Sequence, residues 1–146
     1  MRYVYPVTLE QDDDGMYLAS ARDVPEAITD GESKEEALQE MAAALGAALA
    51  GYSIAGRALP LPSAARLSES LVPVEPLVAA KLALRSAMQE QALSNVALAK
   101  RLGVSEGAVR RLVNPDHVSR LDNIVAALSV VGRGLVIEDQ KKPVAA

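Results

Sequence analysis

Four prolines, Pro60, Pro62, Pro73 and Pro76, crowd the middle of this 146-residue chain. Each fixes φ and removes a backbone donor, so no long helix runs through the stretch and any strand there belongs at a sheet edge. A chain of this length buries one ordinary core or two small ones. The prolines therefore suggest two units, residues 1–75 and 76–140, and the sequence on either side of them reads differently.

Before the prolines, residues 2–10 alternate, with Tyr3, Tyr5, Val7 and Leu9 on one side of a strand. Gln11 to Gly15 is a turn whose glycine supplies a positive φ. Met16 to Ala21 reads as the returning strand, Asp23-Val24-Pro25 interrupts, and Ala27 to Asp30 forms a third short strand. Ser33-Lys34-Glu35-Glu36 is a capping box, the serine accepting from the Glu36 amide while Glu36 reaches back to the cap amide. The helix it opens runs to about Tyr52, with Leu38, Met41, Leu45, Leu49 and Tyr52 as one apolar stripe, and Gly51 and Gly56 mark its end. Ser70 to Val74 supplies a fourth strand, at an edge because of Pro73. The first unit is thus a βββαβ layer with one helix over one sheet face.

After the prolines come short helices. Leu77 to Gln91 is the first, with Leu77, Ala80, Leu84, Ala87 and Met88 inward. Ser94 caps a second through Leu102, and Ser105 caps a third through Val113, which Asn114-Pro115 stops. Leu121 to Val131 is a fourth, with Ile124, Val125, Leu128 and Val131 apolar. Leu135-Val136-Ile137 reads as a short C-terminal strand, and Lys141 to Ala146 as a frayed tail. The fold class is α+β followed by an all-α domain.

Composition excludes several chemistries. There is no cysteine and a single histidine, His117, so neither a disulfide framework nor a thiolate or histidine-built metal site is expected, and no cofactor. Three consecutive aspartates at a hairpin tip, Asp12 to Asp14, cannot all face one ion. His117, in the loop after Asn114-Pro115-Asp116, reads as a local hydrogen-bonding residue. The uncharged run Met41 to Gly56 is shorter than the roughly 20 residues a bilayer needs, which favours a soluble helix. With no signal-peptide core at the N-terminus, the expected location is the cytoplasm, with no membrane partner. Charge is split unevenly: residues 1–60 hold 4 basic and 11 acidic residues, whereas residues 61–146 hold 11 basic and 8 acidic. Such asymmetry suggests a different partner for each half.

The run Ser94 to Pro115, SNVALAKRLGVSEGAVRRLVNP, meets the requirements of a helix-turn-helix. Ala99 is the small residue where the helices meet; Leu98, Leu102, Val109 and Leu112 are the apolar anchors. Gly103 suits an αL turn, and Ser105 starts the second helix at once. A recognition helix from Ser105 would present Glu106, Gly107, Arg110 and Arg111 to the major groove. Arg110 is the candidate for bidentate contact with guanine. Lys100, Arg101 and Arg111 suit phosphates, which position without reading sequence, and Ser94 and Ser105 offer donors at helix starts. The plainer reading of these charges is a solvated helix face.

In this order, the chain resembles the HicB antitoxins that carry a C-terminal helix-turn-helix. The resemblance rests on the hairpin, the Pro25 turn, Ile28-Thr29-Asp30-Gly31-Glu32-Ser33 leading into Glu35-Glu36-Ala37-Leu38, then Leu59-Pro60-Leu61-Pro62-Ser63 and the capped helices. It covers roughly residues 2–138, with Pro25-Glu26-Ala27 departing from the family's frequent Pro-Gly-Cys. It implies a partial RNase-H-like first domain without catalytic machinery, and no enzymatic activity. It also implies binding of a HicA-type toxin, a small basic mRNA-cleaving ribonuclease, and repression of the operon by a dimer on operator DNA. An acidic first half suits such a toxin, with Asp12, Asp13, Asp14, Asp23 and Glu26 as candidate contacts. Dimerisation, or a higher homo-oligomer, is expected because two recognition helices must reach grooves roughly 34–36 Å apart. Leu135, Val136 and Ile137 are candidates to pair across the two-fold. A freestanding transcription regulator with an N-terminal ligand- or protein-sensing module stays open as the alternative.

Overall fold

The computed structural model describes residues 1–142, in the order β1 (Val4–Gln11), β2 (Tyr17–Ser20), β3 (Ile28–Gly31), α1 (Lys34–Ile54), β4 (Ser70–Pro73), α2 (Pro76–Glu90), α3 (Asn95–Leu102), α4 (Glu106–Val113) and α5 (Leu121–Val130). A four-stranded antiparallel sheet in the order β3-β2-β1-β4 is followed by helices alone. β1 divides its ladder. Val4 to Val7 pair with β4, and Thr8 to Gln11 pair with β2. Pro6 thus stands where the strand is laddered on one side only, a place where a residue without N–H is tolerated. β4, with Pro73, is an edge strand as the proline requires.

Alternation along β1 turns Tyr5 and Val7 fully inward, where they pack with Met41, Leu45 and Leu49 of α1 and Val72 of β4. The Tyr5 hydroxyl stays satisfied by donating to the Pro60 carbonyl at 2.7 Å, which also ties down the proline-rich segment. Ser33 caps α1, its Oγ accepting from the Glu36 amide at 3.1 Å. The reciprocal bond differs from expectation: the Glu36 carboxylate accepts from the Glu32 amide at 2.8 Å, one residue before the cap. Gly31 lets β3 abut the helix start, since a Cβ there would lie 2.5 Å from the Ala37 nitrogen.

A second core gathers Leu84 and Met88 of α2, Leu98 and Ala99 of α3, Val109 and Val113 of α4, and Ile124 and Leu128 of α5. α2 serves both cores, because Leu82 on its other side is buried in the first, with Val78 and Ala79 packed beside it. α2 begins at the division suggested by the prolines, yet the two units are joined through it.

The expected strand at Leu135 to Ile137 is not formed. These residues are unpaired coil, with Val136 95% and Ile137 83% exposed. An apolar extended run becomes a strand only where a neighbour supplies a ladder, and no other segment of the same chain does so among the described residues. The segment is tethered instead by side chains: Glu138 accepts from Arg2 at 3.0 Å, and Gln140 donates to the Leu71 carbonyl at 3.0 Å. The tail beyond Lys142 lies outside the described residues, and among those described no helix is long and apolar enough to cross a membrane.

Candidate functional site

α3 and α4 are eight residues each and joined by Gly103-Val104-Ser105. Two serines start them: Ser94 Oγ accepts from the Ala97 amide and Ser105 Oγ from the Ala108 amide, both at 3.1 Å. Gly103 ends α3 in the left-handed region at φ +68°, its amide returning to Lys100 and that of Val104 to Ala99. Ala99, 5% exposed, sits where the helices meet, and Leu98 and Val109 are fully buried beneath them. The apolar face is thereby consumed by the core. Four cations point outward, Lys100, Arg101, Arg110 and Arg111 all being exposed, along with Val96 of α3 and Val104 of the turn.

Within that surface, Arg110 is engaged with Glu106 one turn earlier, with its side chain still 69% exposed. The guanidinium beside it holds the Glu106 carboxyl below the usual glutamate range, helped by the Asn95 side chain. The pair fixes the direction of an exposed arginine, while Arg111, Lys100 and Arg101 on the same two helices are exposed as well. Gly107 occupies the same first turn, where a Cβ would meet only ordinary contacts with Arg111 Nη1 and Ser105 Oγ. All eight residues singled out on α3, α4 and their caps are thus brought together on one unit. His117 makes a local contact, its Nδ1 lying 3.3 Å from Ser119 Oγ.

The five acidic candidates of the first unit divide into two groups. Asp12 turns one carboxylate oxygen onto the amides of Asp14 and Met16, at 3.0 and 2.9 Å, shaping the hairpin. Asp13 and Asp14 project at its tip. Asp23 is occupied by Ser63, accepting from its amide and its hydroxyl at 2.8 Å. Glu26 accepts from the Tyr52 hydroxyl at 2.8 Å, which holds its carboxyl below the ordinary range. Beside Asp23, Arg22 forks onto Glu69 at 2.9 and 3.1 Å and donates to the Ala64 carbonyl at 2.7 Å, pinning the proline-rich loop.

Sequence reasoning overlooked a surface on the sheet face turned away from α1. There Glu10, Leu18 and Asp30 align across three strands, as do Thr8, Ser20 and Ile28. Leu18 is 42% and Ile28 59% exposed, an apolar pair framed by carboxylates. The signal was present in the alternation, whose outward positions carry this set. Lys81 and Arg85 were also overlooked. Lys81 falls at Leu77+4 and Leu84−3, a lysine inside an apolar row, and that placement was the available sign.

A family model described as "HicB_like antitoxin of bacterial toxin-antitoxin system" matches residues 4–83. Antitoxin HicB 1 of Photorhabdus laumondii is 34% identical over 133 residues, covering 91% of this chain and 84% of that protein. Antitoxin HicB of Escherichia coli K12 is 33% identical over 131 residues, covering 90% and 95%. Antitoxin HicB of Pseudomonas fluorescens is 31% identical over 136 residues, covering 92% of each.

Proposed function

The chain belongs to the HicB family of antitoxins, which are not enzymes, and from that premise we propose that it joins two binding surfaces. The first unit binds and blocks a HicA-type mRNA-cleaving toxin. The second is a helix-turn-helix that binds operator DNA and represses the operon, acting as a dimer. The reading of the βββαβ layer as a partial RNase-H-like fold rests on the family resemblance. One observation carries the DNA reading: two serine-capped helices on a Gly103 turn bury Leu98 and Val109, pack the half-buried Leu102 and Leu112 against the same core, and leave Lys100, Arg101, Arg110 and Arg111 outward. Phosphates would engage Lys100, Arg101, Arg111 and the donors at Ser94 and Ser105, whereas Arg110, steered by Glu106, would face a base edge.

For the toxin, the favoured surface is the open sheet face with Leu18 and Ile28 at its centre and Glu10 and Asp30 around them, extended by Asp13 and Asp14 at the hairpin tip. An apolar centre with a charged rim is how protein interfaces are commonly built, and acidic groups speed encounter with a basic ribonuclease. Asp12, Asp23 and Glu26, the last two bonded to Ser63 and Tyr52, remain further acidic candidates for the toxin. Co-expression with the product of the adjacent gene tests this: the two should co-purify and growth arrest by that product should be relieved. Leu18→Asp should abolish both effects, and undiminished neutralisation by a folded L18D chain would refute the surface.

A further inference from the structure

Lys81 is 1% exposed, on α2 between the buried Ala80 and Leu82. A buried ammonium is tolerated only where its donors are used. Here the three N–H donors of Nζ are shared among four acceptors, the carbonyls of Asn114 at 2.8 Å, Arg111 at 3.0 Å and His117, and Ser119 Oγ at 2.8 Å. Those acceptors are the last turn of α4 and the loop that leads from it to α5. A helix end leaves carbonyls without partners and carries the negative end of the dipole. α4 has no glycine to close it, for Asn114 is extended at φ −83°, ψ 113°. The usual left-handed cap is therefore missing, and a lysine from a different helix takes its place. One turn along α2, Arg85 donates to the Val113 carbonyl at 3.3 Å and to Ser53 Oγ at 2.7 Å, tying the same helix end to the end of α1.

Resting on the reading that α4 enters DNA, we propose that Lys81 is a positioning residue for operator recognition. It clamps the C-terminal end of α4 and the 114–119 loop from α2, and so sets the tilt at which the Glu106–Arg110 turn meets the bases, without touching DNA itself. α4 is otherwise held by the Ser105 cap, by Val109, Leu112 and Val113 against the core, and by the single Arg85 bond to the Val113 carbonyl. Removing the ammonium leaves the Arg111 and Asn114 carbonyls to the Asn114 and His117 amides and the His117 carbonyl without its lysine partner, so the end of α4 and its loop lose their tie to α2. Lys81→Met keeps length and apolar bulk while deleting every one of these bonds.

The experiment compares full-length parent, Lys81→Met and Ser119→Ala on a duplex from the DNA upstream of the gene, by fluorescence anisotropy over a range of salt. Binding of the adjacent gene's product and thermal unfolding are followed in parallel. The parent should bind. Lys81→Met should bind the duplex at least tenfold more weakly, with an unchanged salt slope because no phosphate contact is lost, and with the protein partner bound as before. Ser119→Ala, which removes one acceptor, should bind about threefold more weakly. A folded Lys81→Met chain that binds DNA like the parent overturns the assignment, as does a salt slope lowered by one contact. If Lys81→Met fails to fold, Ser119→Ala decides: full affinity overturns the clamp and a loss supports it. A parent that binds no duplex overturns the DNA reading and this assignment together, an outcome distinct from equal binding by parent and variant.

Discussion

Gly107→Ala should make the protein more stable and a worse DNA binder. Gly107 is the second residue of α4 and does not adopt a left-handed backbone. A Cβ built there meets only Arg111 Nη1 at 3.8 Å and Ser105 Oγ at 4.0 Å, both ordinary contacts. Nothing in the free chain needs a glycine. Alanine lowers the entropy lost on folding by up to about 1 kcal/mol in a helix interior, so about 0.5–1 kcal/mol is expected in a first turn. For a chain of this size the melting temperature rises by roughly 1–4 °C. The added methyl lies on the turn shared by Glu106 and Arg110, where a base edge would approach. A misfit comparable to one mismatched base pair, about 1–3 kcal/mol, weakens binding roughly 5- to 150-fold. Thermal unfolding by circular dichroism and anisotropy on the upstream duplex read the two effects separately. Their opposite signs exclude misfolding as the cause. A stabilised variant with undiminished affinity would place the first turn of α4 away from DNA, and a destabilised one would refute the claim that Gly107 is unstrained.

Two further outcomes are expected. Residues 1–75 alone should not fold stably, because Leu82 and Val78 of α2 complete the first core; residues 1–92 should fold and retain toxin binding, as proteolysis and pull-down of the two fragments will show. Acid should unfold the protein partly through Glu69, whose carboxyl is held below its ordinary value of 4.5 by Arg22 and then by the Arg66 amide. For a carboxyl lowered in this way the stabilisation is present above the unfolded value and is lost as pH falls through the folded one. Urea denaturation from pH 7 to 3 should therefore show parent and Glu69→Gln converging at the acid end, and a gap that persists there would contradict the pairing.

Local signals account for most of what could be read in advance. Tyr5 and Val7 stand two apart on one strand face, and Ser33, Ser94 and Ser105 each bond within three residues of themselves, so the strand and three helix starts were visible in the chain. Gly103 announced its turn for the same reason. Features made by distant partners were hidden. Ala92 closes α2 at φ +50°, with no glycine to signal it. Arg22 finds Glu69 across 47 positions, and Lys81 reaches over 30 or more to its acceptors. Residues 135–137 have the composition of a strand, but composition cannot supply a neighbour to ladder with. The acidic candidates show the same limit, since Asp23 and Glu26 look free in the sequence and are bound by Ser63 and Tyr52 in the fold.

The claim that α4 reads duplex DNA is tested most directly by nuclease footprinting of the upstream region with parent and Arg110→Ala chains. Side-chain exposure of 69% means that truncating Arg110 disturbs no packing, so a change in footprint reports the DNA face. The parent should protect two half-sites about one helical turn apart, and Arg110→Ala should lose that protection while still neutralising the toxin. Identical footprints from the two proteins would contradict the account.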